Sequence, residues 1–164
     1  MNTLIALAIA LTLSTAHGDK IIMENNVNNG LFILDNGNVF QFIDTEDIKL
    51  MERCVMSEAG NQPVKAQEAV ATVILNRYMN PEKYPDTIEG VITDPGQFST
   101  ADNGEPTVSV RLAVYNAIIY YNTCYQDLPK STYYFRSDRY HNFGIPYCNY
   151  GDLYFSLAEE AVTD

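Results

Sequence analysis

The sequence predicts a single domain of the α+β class in which helices outnumber strands. The chain has 164 residues, of which 46% are hydrophobic, a size that suits one core. Short apolar runs separated by Asn-Gly turns dominate residues 19–44, a pattern typical of strands. From residue 45 onward the apolar positions recur at helical spacing, so we expect most of the chain to be helical.

The composition argues against several classes of function. Ten Lys and Arg against 21 Asp and Glu give a formal net charge of −11, which repels nucleic-acid phosphates and anionic membrane surfaces. The histidines, His17 and His141, and the three cysteines are too few at metal-ligand spacing for a zinc site. We therefore predict neither a nucleic-acid partner nor a bound metal.

The N-terminus carries the pattern of a targeting segment. Residues 4–13 form an almost unbroken apolar run, and the small residues Ser14 and Ala16 follow it. This run is too short to span a bilayer stably, so we predict that residues 1–18 are a signal peptide and that the protein is exported. Because no Lys or Arg precedes the run, a weak anchor that associates transiently with the membrane is the alternative.

Export would place the cysteines in an oxidising compartment. Cys54, Cys124 and Cys148 would then form one disulfide and leave one free thiol. The sequence leaves open which two of them pair.

Residues 19–44 predict a small β-meander. Its apolar runs cover residues 21–23, 31–34 and 39–43, and the turn sequences NNG and DNGN stand between them. No flexible linker follows, so we expect the meander to pack on a main domain formed by residues 45–164.

The first predicted helix covers residues 45–58 and places a carboxylate on its apolar face. Ile48, Met51 and Val55 recur at helical spacing, and three residues further along the same stripe stands Glu58. Burial and the partial negative charge of a helix C-terminus both disfavour the ionised form, so we expect the raised pKa that a general acid needs. The competing interpretation is a frayed helix end at which Glu58 points into solvent.

The remaining elements follow from the same patterns. A helix over residues 64–79 combines small and branched apolar residues and is the best candidate for the centre of the core. Another helix over residues 108–122 has one apolar face. Residues 131–135 and 150–155 are rich in aromatic side chains and are predicted to be strands.

Motifs along the middle of the chain resemble those of a known family. They are SEAGNQP at residues 57–63, Gln67, AVATVILNR at 69–77, PDTIEGVI at 85–92 and PGQFS at 95–99. Together, over residues 51–155, they resemble the spore cortex-lytic (SleB-type) cell wall hydrolases. The resemblance implies a mainly helical domain similar to lysozyme and the lytic transglycosylases, with short strands beside a cleft and no cofactor.

The same resemblance implies the residues of the site. Glu58 would be the catalytic acid, and Gln97, Phe98 and Ser99 would line the substrate groove. A second wall is expected around Tyr133 and Tyr134, since ten of the twelve tyrosines lie between residues 115 and 154 and aromatic faces stack on sugar rings.

One departure from the family pattern stands near the C-terminal end. Where members of the family usually have His, this chain has Leu153, which puts in doubt any role of that His in orienting the substrate or supporting the Glu. His141 lies nearby in sequence, and we interpret it as a histidine of a surface loop.

The reaction that the resemblance implies is cleavage of the β-1,4 bond between N-acetylmuramic acid and N-acetylglucosamine in peptidoglycan, by a monomeric enzyme. A hydrolase normally uses a second carboxylate. Asp94, Asp102 and Asp138 are candidates by neighbourhood alone, and each also fits a turn or a helix cap. The resembling family is associated with lytic transglycosylase chemistry, in which one Glu is first acid and then base and a 1,6-anhydro end is formed, and on that resemblance we favour this route over hydrolysis.

Two other functions stay open on the sequence. A Cys–His amidase or endopeptidase would use Cys54 as nucleophile and His141 as base, although a cysteine in mid-helix is usually inert. A non-catalytic wall-binding or virion structural protein with the same fold would tolerate Leu153. A bacteriophage lysis or entry enzyme is one origin that suits the predicted domain.

Overall fold

The computed structural model describes residues 30–35, 38–99, 104–121 and 126–159, and within them a two-stranded sheet is followed by four helices and then by a three-stranded sheet. In chain order the elements are β1 (Gly30–Asp35), β2 (Asn38–Asp44), α1 (Thr45–Ala59), α2 (Val64–Tyr78), α3 (Ile88–Thr93), α4 (Val108–Tyr120), β3 (Thr132–Ser137), β4 (Ile145–Tyr150) and β5 (Leu153–Leu157). This arrangement confirms the predicted α+β class with a helical majority.

The three long helices lie within two residues of their predicted positions. α1 begins where the Asp44 side chain accepts hydrogen bonds from the backbone N–H groups of Glu46 and Asp47, each at 2.8 Å. It ends before Gly60, and α2 starts directly after Pro63, which fits the first turn of a helix. The corner between them therefore fixes where α1 stops.

Helix α2 lies at the centre of the core. From Ala66 to Arg77 every residue except Glu68 is buried, and the helix packs against α1, α3, α4 and β3. It thus contacts most of the elements that carry the predicted site residues.

The N-terminal hairpin packs on the helices. β1 and β2 pair antiparallel, and their residues Ile33 and Ile43 are buried in the same core as Ile48 of α1. Two of the three predicted strands of the meander are thereby accounted for. The third run, residues 21–23, and the predicted signal segment lie outside the described residues.

The C-terminal sheet corrects one sequence prediction. Its antiparallel order is β3-β5-β4, and residues 150–155, predicted as one strand, contain the turn between β4 and β5. Tyr150 and Leu153 close this turn as a cross-strand pair, with Gly151 at a φ of +57°. The reason is the Gly-Asp dipeptide, which ends one strand and starts the next.

This turn rests on the corner between α1 and α2. A Cβ atom at Gly151 would lie 2.4 Å from Gln62 Oε1 and 2.8 Å from Pro63 Cδ, so the close approach requires glycine. The backbone N–H of Asp152 donates to Gln62 Oε1 at 3.0 Å. The two loops are therefore joined although they are 90 residues apart in sequence.

The described cysteines and helices bear on the export prediction. Cys54 is buried, Cys148 is half-buried, and both are free thiols, so the expected disulfide does not join these two. Cys124 lies outside the described residues.

Within the described ranges, every helix is too short or too polar to cross a membrane.

Candidate active site

Glu58 lies in the last turn of α1 with its carboxyl group half-buried. The backbone N–H of Ser99 donates a hydrogen bond to Glu58 Oε1. Next to it, the Ser57 hydroxyl donates to Ser99 Oγ at 3.1 Å. The segment that follows α3 is therefore fastened to the end of α1 at this carboxyl group, and the alternative of a frayed end is wrong.

Burial raises the pKa of Glu58 above its ordinary value. Loss of hydration is the largest cause, and it opposes the charged form. The hydrogen bond from the Ser99 N–H and the positive charge of Arg77 act in the opposite direction and lower the pKa. The net shift is upward, as predicted, and it favours a carboxyl group that keeps its proton.

Arg77 holds two sides of the site together. Its Nε and Nη2 donate to the carbonyl oxygen of Tyr133 at 3.0 and 2.7 Å. The guanidinium carbon lies 4.8 Å from the ring centre of Phe98 and 5.4 Å from that of Tyr84. Because only 4% of Arg77 is exposed, this cation is fixed between the β3 wall and the segment that carries Ser99.

Helical spacing places Arg77 on the core face of α2, and this role of its side chain was not predicted. The signal was present, since a charged residue on an apolar helix stripe is as unusual on α2 as Glu58 is on α1. The partners of Arg77 could not be read from the pattern, because the Tyr133 carbonyl is 56 residues away.

The predicted tyrosine wall stands beside Arg77. The Tyr84 and Tyr133 rings lie 5.2 Å apart, and Tyr133 and Tyr134 meet edge to face at 6.4 Å. Asn80 Nδ2 donates to the Tyr133 hydroxyl at 2.9 Å. Tyr133 and Tyr134 are half-buried, so each ring is partly held by the fold and partly accessible.

The three predicted groove residues on the other side differ in exposure. Gln97 and Ser99 are exposed, whereas Phe98 is only 8% exposed and packs between Arg77 and Phe135. Gln97 and Ser99 therefore have side chains available to a ligand. Phe98 instead anchors this segment in the core.

A cavity of about 890 Å³ borders this segment on its other side. Ser99 lines it together with Glu52 of α1 and Arg111 of α4. Glu58 is not itself a lining residue, but its hydrogen-bond partner Ser99 is, so the carboxyl group is one residue removed from a space large enough for a ligand.

The other acidic candidates are placed less favourably. Asp138 is exposed in a turn with a φ of +69°, Asp94 is half-buried at the end of α3, and Asp102 lies outside the described residues. Sequence analysis missed Glu52, which is 9% exposed and lies 3.9 Å from Arg111 Nε. No carboxylate in the described ranges contributes to the pKa shift of Glu58.

The residues of the Cys–His alternative do not meet in the described part of the chain. Cys54 is buried, and desolvation raises the pKa of its thiol, which disfavours the nucleophilic thiolate. His141 Nε2 lies 3.1 Å from the Phe135 carbonyl oxygen. Leu153, at the position of the family His, is buried in the core and supplies no polar group.

The raised pKa of Glu58 predicts a pH-dependent effect on stability. Below the ordinary carboxyl pKa the group is neutral in both folded and unfolded chains, so Glu58→Gln should leave the melting temperature unchanged. As the pH rises, the unfolded chain ionises more readily, and the variant should become more stable than the parent. We expect a gain of about 2–4 °C at pH 7, since partial exposure screens the penalty.

Thermal melts of both proteins at pH 3.5 to 8 measure this difference. Glu46→Gln is the control, because Glu46 is exposed on the same helix. A variant less stable than its parent at pH 7 would show that the site stabilises the carboxylate instead of the acid.

Comparison with known proteins identifies relatives of this chain. A family model described as Cell Wall Hydrolase matches residues 61–154, which begins three residues after Glu58. The spore cortex-lytic enzyme of Oceanobacillus iheyensis is 44% identical over 85 residues, 49% of this chain and 30% of that protein. The Bacillus subtilis enzyme of the same name is 35% identical over 96 residues, 56% of this chain and 30% of that protein. The matched part thus spans about 30% of these relatives.

Solved structures agree in fold. The catalytic domain of the Bacillus cereus SleB protein has a TM-score of 0.56 at 28% identity, over 67% of this chain and 88% of that domain. The catalytic domain of the germination-specific lytic transglycosylase SleB from Bacillus anthracis has a TM-score of 0.57 at 25% identity, over 68% and 94%. These matches confirm the predicted lysozyme-like fold.

Proposed function

Because the chain belongs to the cell wall hydrolase family, we propose that it cleaves the β-1,4 bond between N-acetylmuramic acid and N-acetylglucosamine in peptidoglycan. The observation that carries this proposal is the carboxyl group of Glu58. It is half-buried, its pKa is raised, and the Ser99 N–H holds it in place. A general acid for glycoside cleavage needs these properties.

The proposed reaction uses Glu58 twice. It first donates its proton to the glycosidic oxygen while the bond from that oxygen to C1 of the muramoyl sugar breaks. The carboxylate then takes the proton of the muramoyl 6-hydroxyl as O6 bonds to C1, which closes a 1,6-anhydro ring. The relative named as a lytic transglycosylase supports this route over hydrolysis.

Ser99 and Arg77 suit the state between these two steps. When Glu58 has given up its proton it carries a negative charge in a partly dry environment, which is unfavourable unless it is compensated. The Ser99 N–H and the Arg77 cation both favour that charge. They keep the pKa from rising so far that the acid could not release its proton.

The substrate path follows from the residues on either side of Glu58. The glycan strand would run from the cavity beside Ser99, across Glu58, to the wall formed by Tyr133 and Tyr134. Gln97 and Ser99 would bind its polar edges, and the tyrosine rings would stack on its apolar faces. Peptidoglycan lies outside the cytoplasmic membrane, so the proposal includes export, with the protein acting as a monomer.

Two alternatives are less well supported. A Cys–His amidase or endopeptidase needs a thiolate next to an imidazole, but Cys54 is buried and His141 binds the Phe135 carbonyl group. A non-catalytic wall-binding protein has no need for a carboxyl group with a raised pKa near a cavity.

Mass spectrometry of the products tests the proposal. Purified peptidoglycan and spore cortex would each be digested, and Glu58→Gln would serve as the blank. We expect muropeptides with 1,6-anhydro-muramoyl ends. Products with reducing ends would show that the enzyme hydrolyses the bond and is not a transglycosylase. Free stem peptides would show that it does not cut the glycan strand at all.

A further inference from the structure

An exposed aromatic surface adjoins the tyrosine wall. Phe143 lies in the loop between β3 and β4, and its side chain is 49% exposed. Its ring stacks on His141 at 4.5 Å with an angle of 28°, and it meets Tyr134 edge to face at 5.2 Å. We call Tyr134, His141 and Phe143 the aromatic shelf.

The fold holds the shelf in a defined shape. His141 is fixed by the contact of Nε2 with the Phe135 carbonyl oxygen at 3.1 Å. Gly144 has a φ of +73°, and a Cβ atom there would lie 2.7 Å from the Leu157 carbonyl oxygen and 3.3 Å from Tyr134 Cδ2. Only glycine therefore lets this loop approach the sheet closely enough for its rings to contact Tyr134.

The shelf is continuous with the candidate site. Tyr134 contacts the Tyr133 ring, Tyr133 contacts the Tyr84 ring, and Tyr84 lies against the Arg77 guanidinium. Arg77 in turn acts on the charge of Glu58. Packing contacts therefore join Phe143 to the tyrosine wall and the wall to the site, which places the shelf within reach of a long chain molecule bound at that wall.

We infer that the aromatic shelf is an outer binding site for a sugar ring of the glycan strand, beyond the sugars at the bond that is cut. This inference rests on the proposed function for the identity of the strand. The apolar faces of N-acetylated sugars stack on aromatic rings, and such stacking does not require a positively charged protein surface. A preformed surface also loses little freedom when the strand binds.

The neighbouring cation Arg136 is also suited to binding the glycan strand. Arg136 is exposed and stands two residues after Tyr134 on β3, so both side chains lie on the same face of the sheet. Peptidoglycan carries carboxylates on its muramoyl substituents, and an exposed guanidinium is suited to bind them. The shelf and Arg136 thus match a strand that is apolar on its ring faces and acidic at its side groups.

Binding without turnover tests the inference. All variants would be made in Glu58→Gln, and their co-sedimentation with intact peptidoglycan and with peptide-free glycan strands would be measured. We expect Phe143→Ala to weaken binding to both materials roughly threefold to tenfold, the range of one aromatic contact. Phe143→Trp should restore binding. Tyr147→Ala is the matched control, because Tyr147 is 46% exposed on the opposite edge strand, β4, and its loss should change nothing.

Each other outcome overturns the inference. Unchanged binding by Phe143→Ala would show that the shelf does not contact the strand, whatever the products of the active enzyme are. Loss of binding only to material that carries stem peptides would assign the shelf to the peptide. If Phe143→Ala no longer sediments with phosphatidylglycerol vesicles but still binds glycan, the aromatic shelf binds a membrane instead. Because no turnover is involved, failure of the cleavage proposal would leave this result readable.

Discussion

Glu58→Gln is expected to lower the rate of peptidoglycan cleavage by about 10²–10⁴-fold, the usual contribution of general acid–base catalysis. The amide has nearly the same shape and still accepts the Ser99 hydrogen bond, but it can neither donate the proton nor take it back. Clearing of a suspension of purified peptidoglycan measures the rate. Circular dichroism and thermal melting show whether the fold is retained.

Two neighbours on α1 provide controls for this loss. Glu52→Gln removes a buried carboxylate that faces Arg111 instead of the Ser99 N–H; because Glu52 lines the cavity, its substitution can alter substrate binding, but its loss of rate should be far smaller than that of Glu58→Gln. Cys54→Ser removes the thiol of the Cys–His alternative and should keep most of the activity. Full activity in Glu58→Gln combined with an inactive Cys54→Ser would reverse the assignment of the catalytic residue.

Arg77→Met is expected to cause the second largest effect, on stability and on the pH profile together. The substitution leaves the buried Tyr133 carbonyl group without its two donors, which costs about 1–3 kcal/mol in the free energy of unfolding. The segment with Ser99 and the β3 wall lose their common support. We expect activity to fall about 10- to 100-fold, as small displacements of a catalytic group commonly do.

The pH profile of the activity distinguishes the electrostatic effect of Arg77 on Glu58 from its structural role. Arg77 lowers the pKa of Glu58, so removing the cation should raise that pKa, keep the acid protonated to higher pH and move the basic limb of the profile upward. Arg77→Lys retains the charge but not the paired hydrogen bonds. The basic limb of its pH profile should therefore move less than that of Arg77→Met, while its stability should still fall. Arg111→Met removes a cation that faces Glu52, and its profile should keep the parent's limb. If the basic limb of the pH profile is the same in Arg77→Met as in the parent, the role of Arg77 is purely structural.

Three of the four described helices could be predicted well because each of the three has a local signal. Apolar periodicity located α1, α2 and α4, and stops such as Gly60 and Pro63 set their ends to within two residues. The C-terminal sheet was harder, since an aromatic run continues through Gly151 and hides a turn. The run at residues 145–150 was missed as a strand, because Pro146 and Asn149 break its alternation.

The site itself could be predicted only in part. The stripe on α1 singled out Glu58 and predicted that burial raises its pKa, but the resemblance to the family was needed to make it the candidate catalytic acid. The groups that oppose this shift could not be identified, because one is the backbone N–H of Ser99 and the other is Arg77 on a different helix. Both act through contacts between segments far apart in sequence, for which side-chain periodicity carries no signal.

The contact between Gly151 and the α1–α2 corner has a consequence for synthesis of the protein. The loop that follows Glu58 is held by the backbone N–H of Asp152, a residue that the ribosome adds 94 positions later than Glu58. A nascent chain that ends before this turn lacks that support and the strand β5 with it. We therefore expect the loop after Glu58 to reach its final position only when nearly all of the described chain has been translated.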